Sequence, residues 1–216
     1  MIDIYWAGQA AFRIKGKNAT VLIDPYNPDF TGLKLPKDWQ ADIVLSSHSH
    51  EDHNNTEAIA PASEDGVMVF SEPGEYEVKG VIISAIASSH GEGKGANTIF
   101  HLNLDGLNIV HLGDLGQSKL TEEQIAQIGD VDVLLVPVGG TYTIDGKGAS
   151  EIVSELEPKI IVPMHYFIEG LKFALDGVDK FLKEMGAEGV SPAPKLSISK
   201  EKLPEEPQVI LLAKSS

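Results

Sequence analysis

Ile43-Val44-Leu45-Ser46-Ser47-His48-Ser49-His50-Glu51-Asp52-His53 passes from an apolar triplet straight into three histidines and two carboxylates. The triplet reads as a buried strand, so the imidazoles sit at a strand's end, where rigid scaffolds present functional loops. His48 and His50 are two residues apart, and an extended backbone points both the same way, toward one ion. Asp52 and His53 are adjacent, and a turn there aims them at a second ion beside the first. In a chain with seven histidines, a random His-x-His-x-Asp-His match has a chance of about five in ten thousand. A plain solvated loop is a poor account of the run, because histidines this dense repel one another when charged and need an ion or acid partner.

The rest of the composition narrows the chemistry. At 216 residues the chain suits one compact domain, residues 1–216, with room for a sizeable core. Apolar residues at 42% and charged residues at 23% are ordinary for a globular protein and argue against disorder. No apolar run is long enough for a membrane span, and Met1-Ile2-Asp3-Ile4-Tyr5-Trp6 lacks a basic region followed by an apolar one, so a cytoplasmic location is expected. The absence of cysteine excludes disulfides, thiolate ligands, iron-sulfur clusters and a cysteine nucleophile, leaving imidazole and carboxylate as metal ligands. A formal charge of −15 disfavours nucleic acid as a partner, since phosphate binders need basic surface.

Short apolar runs separated by turn residues predict strands over 2–6, 11–14, 20–23, 43–46, 67–70, 81–87, 98–104 and 107–111. Asp105-Gly106 is a hairpin signal, because a type I′ turn needs positive φ at both central residues; Lys79-Gly80 suggests another. Thr121 with Gln124 three residues on predicts a capped helix over 122–128. A strand over 133–136, a helix over 148–156, a strand over 160–164, a helix over 171–185 and a last strand over 209–212 follow. The Pro-, Glu- and Lys-rich segment 186–207 reads as an irregular surface excursion. Strands interleaved with helices predict an α+β fold: two mixed sheets packed together and flanked by helices.

His48-x-His50-x-Asp52-His53 after an apolar strand resembles the signature of the metallo-β-lactamase superfamily. Ile23-Asp24-Pro25 is similar to the strand-end aspartate that precedes that motif. Ser89-His90-Gly91, His111-Leu112-Gly113-Asp114 and Pro163-Met164-His165-Tyr166 are similar to its later ligand segments, in the same order. The resemblance implies a four-layer αββα sandwich in which His48, His50 and His90 hold one metal ion, Asp52, His53 and His165 hold another, and Asp114 bridges them. Gln9-Ala10-Ala11-Phe12, Gly95-Ala96-Asn97-Thr98 and Gly139-Gly140-Thr141-Tyr142-Thr143 resemble the branch that includes ascorbate-6-phosphate lactonase and an N-acylphosphatidylethanolamine phospholipase. Two departures stand out: Gln9 where lactonase-type members often carry His, and Asn54-Asn55 in place of a glycine.

Other residues keep two readings. His111 either steadies the site by hydrogen bonding or is structural, and Asp24 either orients a metal-binding histidine or shapes a turn. His101, sharing a strand face with Asn103, reads as surface. Tyr142 and Thr143 either touch substrate or form a plain turn. The resemblance implies a dinuclear metal-dependent hydrolase with two divalent ions, zinc first, with manganese or iron fitting the same ligands. A hydroxide from metal-activated water would attack a phosphodiester, lactone or other ester-like small molecule, with Asp52 as the catalytic residue that orients it or moves its proton. The alternatives are a non-catalytic metal-binding or regulatory protein and a redox member of the fold, though the di-iron version typically has Glu where this chain has His50.

Overall fold

Alternation sets the first strand. In β1 (Ile2–Gly8), Ile2, Ile4 and Trp6 are buried while Asp3 and Tyr5 are only partly so, as expected where successive side chains point to opposite faces. The computed structural model describes all 216 residues. In chain order come β2 (Ala11–Lys15), β3 (Thr20–Ile23), the short helix α1 (Pro28–Thr31), β4 (Gln40–Ala41), β5 (Ile43–Leu45), β6 (Ala60–Pro61), β7 (Met68–Phe70), β8 (Gly74–Val78), β9 (Val81–Ser89), β10 (Ala96–Leu104) and β11 (Leu107–His111). There follow α2 (Glu122–Ile128), β12 (Val133–Pro137), α3 (Gly146–Leu156), β13 (Ile160–Met164), α4 (Asp179–Glu184), β14 (Leu196–Ile198) and β15 (Gln208–Val209).

Two mixed sheets result, with strand orders β14-β1-β2-β3-β5-β7 and β15-β13-β12-β11-β10-β9-β8, beside a small β4-β6 pair. Ile4, Phe12 and Ile14 from the first sheet join Ile83, Ile99 and Leu102 from the second in one buried cluster of 48 residues. Helices α2 and α3 pack on β9 and β12 of the second sheet. The outer face of the first sheet instead buries Ala7, Ala11, Leu22 and Val44 under Tyr26, Leu33 and Trp39, residues of the long connection that contains α1. The two packed sheets with helices outside match the sandwich expected from the sequence, with sparse helix cover on one side. No helix is long and apolar enough to cross a membrane.

Local chemistry explains the turns. Asp105 and Gly106 both have positive φ, 51° and 80°, and join β10 to β11. The Thr121 hydroxyl accepts from the Gln124 amide at 3.1 Å while the Gln124 side chain accepts from the Thr121 amide at 3.0 Å, closing the reciprocal cap.

Four expectations are corrected. The helix over 171–185 forms only as α4, because the Lys172 amide donates to the Thr31 carbonyl and the Asp176 amide to the Gly139 carbonyl; donors committed to neighbouring loops cannot build a helical ladder. The segment 186–207 is not wholly irregular, since β14 pairs with β1 through Ile2↔Ile198 and Ile4↔Leu196. The last strand is short, Gln208–Val209, pairing with β13 only at Ile160 and Ile161. His101 is half-buried rather than surface, with Nε2 enclosed and unpartnered; burial holds its pKa below the ordinary histidine value.

Candidate metal centre

Five strands that run the same way within their sheets end at one rim of the sandwich. Asp24 follows β3, His48 to His53 follow β5, His90 follows β9, Asp114 lies just beyond β11 and His165 follows β13. Carboxyl ends of strands are where such sheets place ligands.

The seven side chains expected to bind metal converge in two sets: His48, His50 and His90; and Asp52, His53, Asp114 and His165. Within each set the donor atoms lie within 4.8 Å of one another. Asp114 connects the sets. Its Oδ2 is 3.4 Å from His90 Nε2 and 4.0 Å from His48 Nε2, and its Oδ1 is 3.3 Å from His53 Nε2 and 3.4 Å from His165 Nε2. His50 Nδ1 lies 3.1 Å from His48 Nε2, so two ring nitrogens face a common point. Asp52 Oδ2 is 3.5 Å from His53 Nε2 and 4.0 Å from His165 Nε2.

The partners behind these groups fix which nitrogen is free. Asp24, fully buried, accepts from the Ser47 amide at 2.7 Å, the Ser47 hydroxyl at 2.7 Å and His53 Nδ1 at 2.9 Å. The Ser47 oxygen in turn lies 3.0 Å from His48 Nδ1, so one carboxylate orients two imidazoles with their Nε2 lone pairs turned inward. Of the two readings of Asp24, the orienting one holds. His111 acts differently: its Nε2 donates to the Ala10 carbonyl at 2.9 Å and its Nδ1 accepts from the Gly113 amide at 3.0 Å. It shapes the turn before Asp114 and touches no member of either set through these bonds. Asn97 completes that turn by accepting from the Asp114 amide at 2.9 Å.

Electrostatics agree with a cation between the sets. Burial drives the His48 pKa down to about 3 and lowers that of His90, keeping both neutral. For Asp52 and Asp114, burial opposes ionisation, but the surrounding histidines outweigh it and hold both carboxyls below their ordinary range. Burial likewise opposes charge on His53, yet Asp114, Asp52 and Asp24 together raise its pKa well above the usual value. His53 Nε2 and Asp114 Oδ1 are buried with no hydrogen-bond partner, which is costly unless something else meets them. A divalent ion fits, and an all-imidazole and carboxylate donor set suits zinc, manganese or iron.

Sequence reasoning missed the role of Gln9. Its side chain is buried at φ 52°, and its Nε2 lies 3.4 Å from both Asp52 Oδ2 and His165 Nε2. Its place after Gly8, in a tight turn between two predicted strands, was the available signal. Ser47 and Asn97 carried no such signal.

Residues 3–165 match the family model of the beta-lactamase superfamily domain. A UPF0173 metal-dependent hydrolase from Thermoplasma acidophilum is 33% identical over 189 residues, spanning 76% of this chain and 83% of its own. A crystal structure from Thermotoga maritima, assigned as a Zn-dependent hydrolase of the metallo-β-lactamase superfamily, is 36% identical with TM-score 0.81 and 98% coverage of both chains. CmlA, a diiron β-hydroxylase from Streptomyces venezuelae, has TM-score 0.62 at 14% identity, over 87% of this chain and 51% of its own; that likeness is one of fold alone. The sandwich and its rim of histidines and aspartates therefore define a member of the metallo-β-lactamase superfamily. Within it, the chain belongs with the UPF0173 metal-dependent hydrolases.

Proposed function

We propose that residues 1–216 form a single dinuclear metal-dependent hydrolase domain acting on a small phosphodiester, lactone or other ester-like molecule. The observation that carries this reading is the division of the Asp114 carboxylate, one oxygen toward His48 and His90 and the other toward His53 and His165. His48, His50 and His90 would hold one ion and Asp52, His53 and His165 the other, zinc being the first choice and manganese or iron the alternatives. Such ions supply Lewis acidity and lower the pKa of water from about 15.7 to about 7. Asp52 contributes the remaining chemistry: its side chain borders the open groove, where it can orient an attacking water and take up its proton. Gln9 Nε2, 3.4 Å from Asp52 Oδ2, holds that carboxylate in place. The named relatives and the resemblance to the lactonase and phospholipase branch support hydrolysis, and the acidic composition supports a small molecule over nucleic acid.

Elemental analysis after reconstitution tests the centre, with about two equivalents of metal expected; under about half an equivalent overturns the proposal. His50→Ala and Asp114→Ala should then lose turnover of phosphodiester, lactone and ester substrates. Turnover equal to the parent in both variants refutes the mechanism.

A further inference from the structure

The groove beside the metal-binding side chains, about 690 Å³ in volume, has an aromatic wall formed by Phe30, Tyr142 and Phe173. Phe30 is 44% exposed and Tyr142 41%, in a chain that buries most of its large apolar side chains. Their spacing is regular: Phe30 and Phe173 have ring centroids 5.9 Å apart, and Tyr142 meets Phe173 edge-on at 6.0 Å.

Hydrogen bonds between loops hold this wall. The Lys172 amide donates to the Thr31 carbonyl at 2.9 Å, tying the Phe173 segment to α1, and the Asp176 amide donates to the Gly139 carbonyl at 2.8 Å, tying it to the Tyr142 loop. Lys94 Nζ donates to the Thr141 and Tyr142 carbonyls at 3.0 and 2.8 Å. The bonds that prevent a helix over 171–178 thus set Phe173 beside the metal-binding groups.

Charge narrows what the wall can receive. Outside the metal-binding set, Glu51 and Lys94 are the charged residues lining the groove, and the Lys94 ammonium is already bonded to two carbonyls. The one arginine of the chain, Arg13, lies elsewhere, 4.8 Å from the Tyr5 ring centroid and 5.0 Å from that of Trp39. Beyond the charge that bound metal ions would bring, this groove has no arginine fork or lysine cluster of the kind that fixes a phosphate group, so its aromatic wall makes no demand for an anion. On the other flank, a polar cavity of about 320 Å³ shares Ser49, His50 and Lys94 and continues over Ser71, Asn97 and Thr98. An apolar substituent therefore has one side of the site available to it.

We infer that the groove takes an uncharged carboxylic ester, open or cyclic, whose acyl part carries an aryl or branched alkyl group seated on Phe30, Tyr142 and Phe173. This rests on the hydrolase reading above. Water adds across the ester; the acyl C–O bond breaks, the alkoxy oxygen takes a proton to leave as alcohol, and the acid is released as carboxylate and a proton.

Binding and turnover test the inference separately. In calorimetry on the protein with and without added zinc, 3-phenylpropanoate should bind at least about tenfold tighter than propanoate, the effect of burying a ring. Phe30→Ala and Phe173→Ala should erase most of that preference, with unchanged thermal midpoints confirming folding. Equal affinities for the two acids, or a preference untouched by both substitutions, overturns the aromatic seat. With zinc bound, ethyl 3-phenylpropanoate should be cleaved at least about tenfold more efficiently than ethyl propanoate. Equal cleavage of the two esters overturns the inference and leaves the hydrolase reading standing. Cleavage of bis(4-nitrophenyl) phosphate with neither ester turned over overturns the ester assignment. If the two-zinc protein cleaves nothing, the hydrolase reading itself fails, and binding alone then decides the seat.

Discussion

Replacing Asp24 by Asn should damage metal binding more than replacing it by Ala, although Asn is the closer mimic. The geometry forces this order. Asp24 Oδ1 accepts from the Ser47 amide, which as a backbone donor cannot reverse its role, so the oxygen of Asn must stay there. The amide nitrogen then occupies the place of Oδ2, 2.9 Å from His53 Nδ1. Two donors cannot face each other, and His53 is driven to the tautomer with Nδ1 bare and the proton on Nε2. That proton points at Asp114 Oδ1, 3.3 Å away, and removes the lone pair an ion needs. Ala merely withdraws the acceptor, which at other centres costs 10- to 100-fold in affinity, about 1.4–2.7 kcal/mol; Asn should reach or exceed the upper end. Backbone strain acts the opposite way, because Asp24 has φ 49°, a conformation Asn tolerates and Ala does not. The apo Asn variant should therefore melt higher than the apo Ala variant while holding metal less well. Competition with a chromophoric chelator measures affinity, and nitrogen-15 spectra of the imidazoles report the tautomer. Metal affinity of the Asn variant within about threefold of the parent, or above that of the Ala variant, would refute the reasoning.

Asp114→Asn should lower metal stoichiometry below two and reduce kcat/KM at least about a hundredfold, since one carboxylate serves both donor sets and metal stabilisation is worth several kcal/mol; elemental analysis with ester turnover checks it. Gly113→Ala should cost about 1–3 kcal/mol by denaturant unfolding, because Gly113 has φ 57° and a Cβ there would collide with the Asn97 and Ser47 side chains. Asp42 opposes a burial penalty with bonds from Lys79 Nζ, the Thr20 amide and the Ser63 hydroxyl, which keep its pKa below 3.8. A depressed carboxyl pKa stabilises the fold above the unfolded value and loses that contribution as pH falls through the folded one. Asp42→Asn should thus be destabilised by about 1–3 kcal/mol at neutral pH, with the deficit shrinking below pH 3.8; a pH-independent deficit would contradict this.

The strand-end cluster of histidines and aspartates was legible because each motif couples two local signals, an apolar run and a polar switch. Ile43-Val44-Leu45 before His48 and Ile160 to Met164 before His165 place the donors without knowledge of the sheets. Hairpin glycines and the Thr121–Gln124 cap are likewise local. What the sequence hid was long-range hydrogen bonding. Leu171 to Val178 has helical periodicity, but its amides bind carbonyls 141 and 37 residues away, at Thr31 and Gly139. Leu196 to Ile198 looks too polar in context for a strand until Ile2 and Ile4 offer it an edge. Gln9 reads as a turn residue because nothing near it in sequence needs its amide.

Backbone conformation links the two kinds of residue. Gln9, Asp24 and His165 have φ of 52°, 49° and 51°, and all three side chains meet around Asp52 and His53. Left-handed backbone at a residue with a Cβ costs of order 1 kcal/mol and persists only where surrounding structure dictates it. Glycine would relieve each position and delete a side chain that lies in or braces the candidate metal centre. The strain is shared between loops, since the Gln9 carbonyl accepts from both the His165 amide at 3.0 Å and the Trp6 indole at 2.8 Å. Those bonds lock the β1–β2 turn to the end of β13, from opposite sheets. The 48-residue core that joins the sheets therefore also sets the distance between the Asp52 and His165 donors, so that loosening the core should be felt as weaker metal binding before it is felt as unfolding.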